Sequence, residues 1–189
     1  MEIILASASP RRRELMSTAG FDFTVEVSDV DESVPDGTPP QEAALITARR
    51  KTAAVAKKHP DCIVVGADTI VVLDNEIMGK PADRADAKKM ITSLSGRTHT
   101  VITGVCVMCG GMEISFAEST GVEFFALTEK EIDAYVATGE CDDKAGAYGI
   151  QGKGCVLVRG INGDYFNVVG LPVARTSRAI YEIIEAFKN

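Results

Sequence analysis

Ile3, Ile4 and Leu5 open the chain as a short apolar run of the strand type. Ser9 then stands at an N-cap position, Pro10 at the first helical position and Gly20 past the end, so the pattern predicts strand, turn, helix. Residues 22–27 (DFTVEV) alternate polar with apolar as a half-buried strand does, and the Pro-, Asp- and Gly-rich stretch after them reads as a loop. A helix is expected from about Pro40 to Lys58. The β-branched run at 63–65 leads through Gly-Ala-Asp-Thr into a second run at 70–73, both of the buried-strand type.

Asp74, Asn75 and Glu76 supply a turn, and the next helix runs from about Ala85 to Leu94, closed by Ser95-Gly96. Strands over Thr98–Met108 and Glu113–Leu127 flank a hairpin turn at Gly110-Gly111. Thr128 with Glu131 is a capping-box pattern opening a helix that reaches about Ala137. Lys144–Gly154 is glycine-rich without a clear period and reads as a loop. A strand at 156–160, a turn at Asn162-Gly163, a strand at 164–169 (DYFNVV) and an amphipathic helix from about Val173 to Phe187 complete the chain.

Strands and helices alternate early, and a hairpin-rich block sits in the middle. This order predicts an α/β fold, a mixed and twisted central sheet flanked by helices. Short connections leave no linker at which to divide residues 1–189, so a single domain is expected, its later hairpins forming a lobe beside a cleft.

Composition narrows the classes of function. With 189 residues, 46% of them hydrophobic, the chain can bury a full core, on the order of 70% of its unfolded surface. Twenty Lys and Arg against 27 Asp and Glu give a net charge of −7, a poor field for nucleic acid or an anionic membrane. No apolar run approaches the roughly 18 residues of a membrane span, and no basic segment precedes the first apolar stretch as in a signal peptide, so a cytoplasmic protein is expected. Five scattered cysteines fit a reducing compartment and read as small buried hydrophobes. Cys106 and Cys109 have C-x-x-C spacing but lie on a predicted strand, where residues three apart point to opposite faces. His59 and His99 are too few for a histidine metal cage or a Ser-His-Asp triad and read as structural or surface residues.

Chemistry concentrates first at Arg11, Arg12 and Arg13, in the first turn of the first helix, where the helix dipole disfavours cations. Three cations there point to an anion, and Ser7 and Ser9 add hydroxyls beside the unpaired N–H groups, the parts of a phosphate cradle. The bland alternative is that these arginines reach solvent or pair with Glu14. Asp68, between two β-branched runs, is a ligand for Mg2+, a base for an attacking water, or a plain Asx-type cap. Asp29, Asp31 and Glu32 form a second acidic group in a loop. Lys80 is held between Gly79 and Pro81, whereas Lys51, in the run Arg49-Arg50-Lys51, suits a solvated helix face as well as a phosphate. Gln151 could read a base edge that places a carbonyl next to an N–H, as uracil and thymine do, or be an ordinary loop glutamine.

Six blocks, SASPRR (7–12), GADTIV (66–71), GKP (79–81), LSGRTH (94–99), DKAGAYGIQG (143–152) and INGDYFNVVGLP (161–172), together resemble the Maf family of nucleoside triphosphate pyrophosphatases. Each block is weak alone, but six in order with compatible spacing make a specific match. The double arginine after Ser9-Pro10, the Asp68-Thr69 pair and Gln151 look closest to the branch acting on dTTP and UTP. The resemblance implies an elongated α/β/α fold with a cleft, similar to inosine triphosphate pyrophosphatases, and a homodimer.

It also implies hydrolysis between the α and β phosphates, giving a nucleoside monophosphate and pyrophosphate, with a divalent cation such as Mg2+ or Mn2+. Carried over by motif, Asp68 is the proton acceptor that activates water and Lys80 supports the phosphates. Arg12, Thr69 and Gln151 are linked to base choice. Ser7, Ser9, Arg11 and Lys51 line the triphosphate site, and Glu32 joins Asp68 at the metal. The rival expectations are a 7-methyl-GTP pyrophosphatase of the same family and a septum-formation regulator that acts by binding.

Overall fold

A computed structural model describes residues 1–188. Its elements are β1 (Ile3–Leu5), α1 (Pro10–Thr18), β2 (Thr24–Val25), α2 (Pro40–Ala56), β3 (Ile63–Leu73), β4 (Glu76–Met78), α3 (Arg84–Leu94), β5 (Thr98–Cys109) and β6 (Met112–Phe124). After these come α4 (Glu129–Val136), two 3-10 turns (Ala145–Ala147 and Gly152–Leu157), β7 (Val158–Asn162), α5 (Tyr165–Val169) and α6 (Val173–Ala186).

The strands form a mixed sheet in the order β2-β1-β3-β5-β6-β7, with β4 added to β3. β1 runs parallel to both β2 and β3, in register Leu5 to Val25 and Leu5 to Val65, while β3–β4 and β6–β7 are antiparallel. Parallel pairs arise where a helix carries the chain back, and antiparallel pairs where a tight turn suffices. Gly110 and Gly111, with φ of 53° and 85°, supply the left-handed backbone that the turn from β5 to β6 requires.

Chain contacts divide the molecule into two compact units. The first holds Met1–Asp68, Thr103–Glu118 and the chain from Gly170. Within it, Ile4, Ala6, Val55 and Val64 form a buried cluster between β1, β3 and α2. The second holds Thr69–Ile102 and Ser119–Val169. Its core gathers Ala87, Ile91 and Leu94 of α3, Ile132, Tyr135 and Val136 of α4, and Val122 and Phe124 of β6. A buried aromatic group lies at its heart. The rings of His99, Phe124 and Tyr148 meet edge-on, with centroids 4.8 to 5.2 Å apart, and His99 Nε2 lies 2.7 Å from the Tyr148 hydroxyl.

The structure revises several expectations. The two β-branched runs at 63–65 and 70–73 are one eleven-residue strand, β3. Gly66 sits inside it because a Cβ there would lie 2.2 Å from Thr52 Oγ1 of α2, so the glycine admits a helix rather than a turn. The strand expected over 22–27 shrinks to Thr24–Val25, both exposed, because its partner β1 offers only three residues. Residues 164–169 are not a strand: Asp164 Oδ1 accepts the Phe166 N–H at 2.8 Å, capping the short helix α5. The Asn167 amide then donates to Val101 O and Thr120 Oγ1, tying α5 to β5 and β6. The loop at 144–154 carries two 3-10 turns, and Cys155 is exposed rather than buried.

Candidate active site

The first helix begins as its sequence requires. Ser9 has extended backbone and its Oγ accepts the Arg12 N–H at 3.4 Å, and Pro10 at the next position has no N–H to satisfy. No acidic residue occupies the first turn, so Arg11, Arg12 and Arg13 stand at the positive end of the helix without a carboxylate of that turn. Arg12 folds back along the loop. Its Nη1 donates to Ser7 Oγ at 3.0 Å and its Nε to Gly170 O at 2.8 Å, and the Ser9 N–H also donates to Ser7 Oγ, at 3.3 Å. Burial lowers the Arg12 pKa below the usual arginine value; the Asp68 carboxylate opposes that shift and Arg11 reinforces it. A guanidinium held in one place by Ser7 and Gly170 presents its remaining N–H groups in a fixed direction, as recognition of a substrate's acceptor atoms requires.

β3 carries Asp68 and α2 carries Lys51, and the two meet. Lys51 Nζ lies 2.8 Å from Asp68 Oδ1 and 3.1 Å from Glu32 Oε1. The Lys51 and Asp68 side chains are only 15% and 17% exposed, so their pairing is largely shielded from solvent, whereas Glu32 at 60% faces water. Among the described residues no group of three His, Cys, Asp or Glu side chains is placed to hold a metal. Two carboxylate oxygens converging on one ammonium nitrogen nevertheless mark a point that favours a cation. A donor set of two carboxylates suits Mg2+ or Mn2+, which keep several waters and take further oxygens from phosphates.

Ser7, Ser9, Arg11, Arg12, Glu32, Lys51 and Asp68 therefore all belong to the first unit. Thr69, Lys80 and Gln151 belong to the second. Thr69 is the half-buried neighbour of Asp68 along β3. Lys80 is exposed between β4 and α3, and the Gly79 carbonyl before it accepts the Gly146 N–H at 3.0 Å. That bond joins the lysine's loop to the segment bearing Gln151. Gln151, half-buried, directly precedes a 3-10 turn and lies in a stitched loop: Gly149 N–H donates to the Tyr135 hydroxyl, and Lys153 N–H to both Glu140 carboxylate oxygens.

Sequence reasoning passed over Arg50. Its Nη1 donates to Asp31 O at 3.1 Å and to Ser33 O at 2.5 Å, the carbonyls on either side of Glu32. Only its position next to Lys51 on the same helix could have drawn attention to it. Two other motif residues have structural partners. His99 is 2% exposed inside the aromatic group, where burial lowers its pKa to about 4 and keeps the ring neutral at pH 7. Arg97 pairs with Asp74 at 2.6 Å on the surface.

Residues 2–183 match the model of a family described as Maf-like protein. A dTTP/UTP pyrophosphatase of Bacillus cytotoxicus is 51% identical over 179 residues, covering 95% of this chain and 94% of the relative. A dTTP/UTP pyrophosphatase of Bacillus anthracis is 50% identical over the same shares of both chains. Among solved structures, a HAM1 protein from Coxiella burnetii is similar in fold at a TM-score of 0.53 and 15% identity, covering 96% of this chain and 99% of that one.

Proposed function

Because the chain belongs to the Maf-like family, we propose that it is a nucleoside triphosphate pyrophosphatase that hydrolyses dTTP and UTP to the monophosphate and pyrophosphate. The observation that carries the chemistry is the shielded Lys51–Asp68 pair, set in the same unit as an arginine-bearing helix N-terminus.

Cleavage of a phosphoanhydride needs in-line attack by water and neutralisation of charge on the transferring and departing groups, so positioning and electrostatics dominate. Asp68 takes the proton of the attacking water. Its Oδ1 is engaged by Lys51, which leaves Oδ2 as the accepting oxygen. Ser7, Ser9, Arg11 and the first N–H groups of α1 cradle the triphosphate, and Lys51 and Lys80 supply cations as the bridging bond breaks. Asp68 and Glu32 would hold a Mg2+ or Mn2+ ion, which supplies charge neutralisation at the phosphate oxygens when bound.

Gln151 matches the carbonyl and N–H of uracil and thymine with one amide, while Arg12 and Thr69 take part in base choice. A methyl group in an apolar pocket is worth only about 1 to 3 kcal/mol, so dTTP and UTP overlap as substrates. CTP, with the donor and acceptor reversed, is the poorer one. We place the enzyme in the cytoplasm as a homodimer; five free cysteines agree with a reducing compartment, and among the described residues no helix is long and apolar enough to cross a membrane.

The test is pyrophosphate release from dTTP, UTP, CTP, dGTP and 7-methyl-GTP, with and without Mg2+ or Mn2+, for the wild type and Asp68→Ala. Metal-dependent release from dTTP and UTP that disappears in the variant is the expected outcome. Release from the methylated purine alone would transfer the base assignment to another branch of the family, and no release from any triphosphate would leave a binding protein.

A further inference from the structure

Glu32 is the most exposed of the acidic and basic groups gathered at Asp68, and it lies in a loop with no regular structure from Glu26 to Pro35. A carboxylate on such a segment is held in place by its backbone or not at all. Here the backbone is held twice. The Asp31 carboxylate accepts the Ser33 N–H at 2.9 Å and the Ser33 hydroxyl at 2.7 Å, closing an Asx turn around Glu32. Those two bonds draw the Asp31 pKa below its ordinary value. Arg50 Nη1 then donates to the carbonyls of Asp31 and Ser33, so one nitrogen grips both shoulders of the turn. Arg50 and Lys51 are consecutive residues of α2. The helix that grips the loop backbone is therefore the one whose next residue receives the Glu32 carboxylate at 3.1 Å.

We propose that Arg50 is a positioning residue: by clamping the carbonyls on either side of Glu32, it sets that carboxylate beside Asp68, where the two would share a divalent cation. Arg50 touches neither nucleotide nor metal, and its effect passes through Glu32. The inference rests on the assignment of Glu32 to the metal. It predicts that loss of the clamp weakens metal use without weakening the chemistry once metal is saturating. Outer-shell groups that orient a ligand typically change metal affinity by about 10- to 100-fold, and a clamp on an exposed loop belongs at the lower end.

The experiment uses Arg50→Met, Arg50→Lys, Glu32→Gln and the Arg50→Met/Glu32→Gln double variant. Mn2+ binding to the nucleotide-free protein is measured by paramagnetic resonance, the Mg2+ dependence of dTTP hydrolysis by pyrophosphate release, and loop protection by amide exchange over residues 30–34. Arg50→Met is expected to weaken Mn2+ binding about tenfold and to raise the half-saturating Mg2+ by the same factor. Its kcat at saturating Mg2+ should stay within about twofold of wild type, and exchange in the loop should quicken. Arg50→Lys should recover much of the protection. In the Glu32→Gln background, Arg50→Met should add nothing to the metal readouts. An equal tenfold effect in that background, or unchanged exchange in Arg50→Met, overturns the clamp. If Glu32→Gln alone leaves Mn2+ binding unchanged, the metal assignment of Glu32 has failed instead, and the exchange measurement still decides whether Arg50 holds the loop.

Discussion

Both units shield polar groups within motif blocks, and they do so in opposite ways. In the first, Lys51 and Asp68 form an ion pair at 2.8 Å, with Arg12 close enough to feel the same carboxylate. In the second, His99 and Tyr148 share one hydrogen bond deep in an aromatic core, and burial keeps both neutral at pH 7. His99 Nδ1 has no hydrogen-bond partner among the described residues, which is tolerable for a bare ring nitrogen and costly for an imidazolium. Shielded charge that is kept needs a reason beyond stability, because a buried ion pair seldom stabilises a fold more than apolar packing would. Shielded neutrality needs no reason beyond packing. Motif blocks of one chain thus have different causes, chemical in the first unit and structural in the second.

The largest expected effect separates them by activity. Asp68→Asn should lower turnover of dTTP by about 10²- to 10⁴-fold, because it removes the carboxylate that we propose takes the water's proton. Its unfolding free energy should fall by no more than about 3 kcal/mol, the cost of breaking a shielded pair, because Lys51 keeps Glu32 as a partner. Pyrophosphate release and urea unfolding on the same preparation check both halves. Phe124→Ala should show the reverse: a loss of about 3 to 5 kcal/mol in urea unfolding, with kcat of the folded fraction unchanged. A Phe124 variant that is stable yet inactive would break the division.

Acid comes next in size. His99 titrates near 6.5 in the unfolded chain and at about 4 in the fold, so below pH 6.5 the unfolded state binds the extra proton. The His99 contribution to stability is therefore fully present above pH 6.5 and falls by about 1.4 kcal/mol per pH unit toward pH 4, roughly 3 kcal/mol in all. His99→Gln keeps a group able to bond the Tyr148 hydroxyl but removes the titration. The difference in urea midpoint between wild type and His99→Gln should shrink or reverse from pH 7.5 to pH 4.5; parallel pH curves would show that His99 does not carry the slope.

How much of this was legible in the sequence depends on the range of the cause. Local causes were readable: Ser9-Pro10 at α1, Thr128 with Glu131 at α4, and the glycines turning β5 into β6 all lie where their own chemistry put them. Causes at a distance were not. Gly66 reads as a break in β3 until Thr52 is seen against it, and 164–169 reads as a strand until the Asp164 cap and the Asn167 anchor are seen. The same holds for the site. Asp68 and the arginines of α1 were visible as anomalies of burial and dipole, but Lys51 meets Asp68 from 17 residues away and reaches Glu32 as well, and no spacing rule yields that triangle. Only the family resemblance brought the three together, and it gave no hint of Arg50.

The smallest effect compares like with like. Ser9 and Thr128 are both N-caps, accepting the N–H three residues on at 3.4 and 3.3 Å. Thr128 is part of a full capping box, in which the Glu131 carboxylate returns to the Thr128 N–H and hydroxyl, both at 2.7 Å. Each alanine substitution should cost about 1 kcal/mol of stability, with the boxed threonine losing the more. Their kinetic consequences should differ. Thr128→Ala removes a cap on a helix that carries none of the assigned residues, so KM and kcat for dTTP should not move. Ser9→Ala frays the turn that presents Arg11 and Arg12 and removes a hydroxyl assigned to the phosphates, so KM should rise by about 10- to 100-fold, the worth of one hydrogen bond to a charged group. Equal KM values for the two variants would mean that the first turn of α1 is only a capped helix, and the anion would have to be sought elsewhere among the cations of the chain.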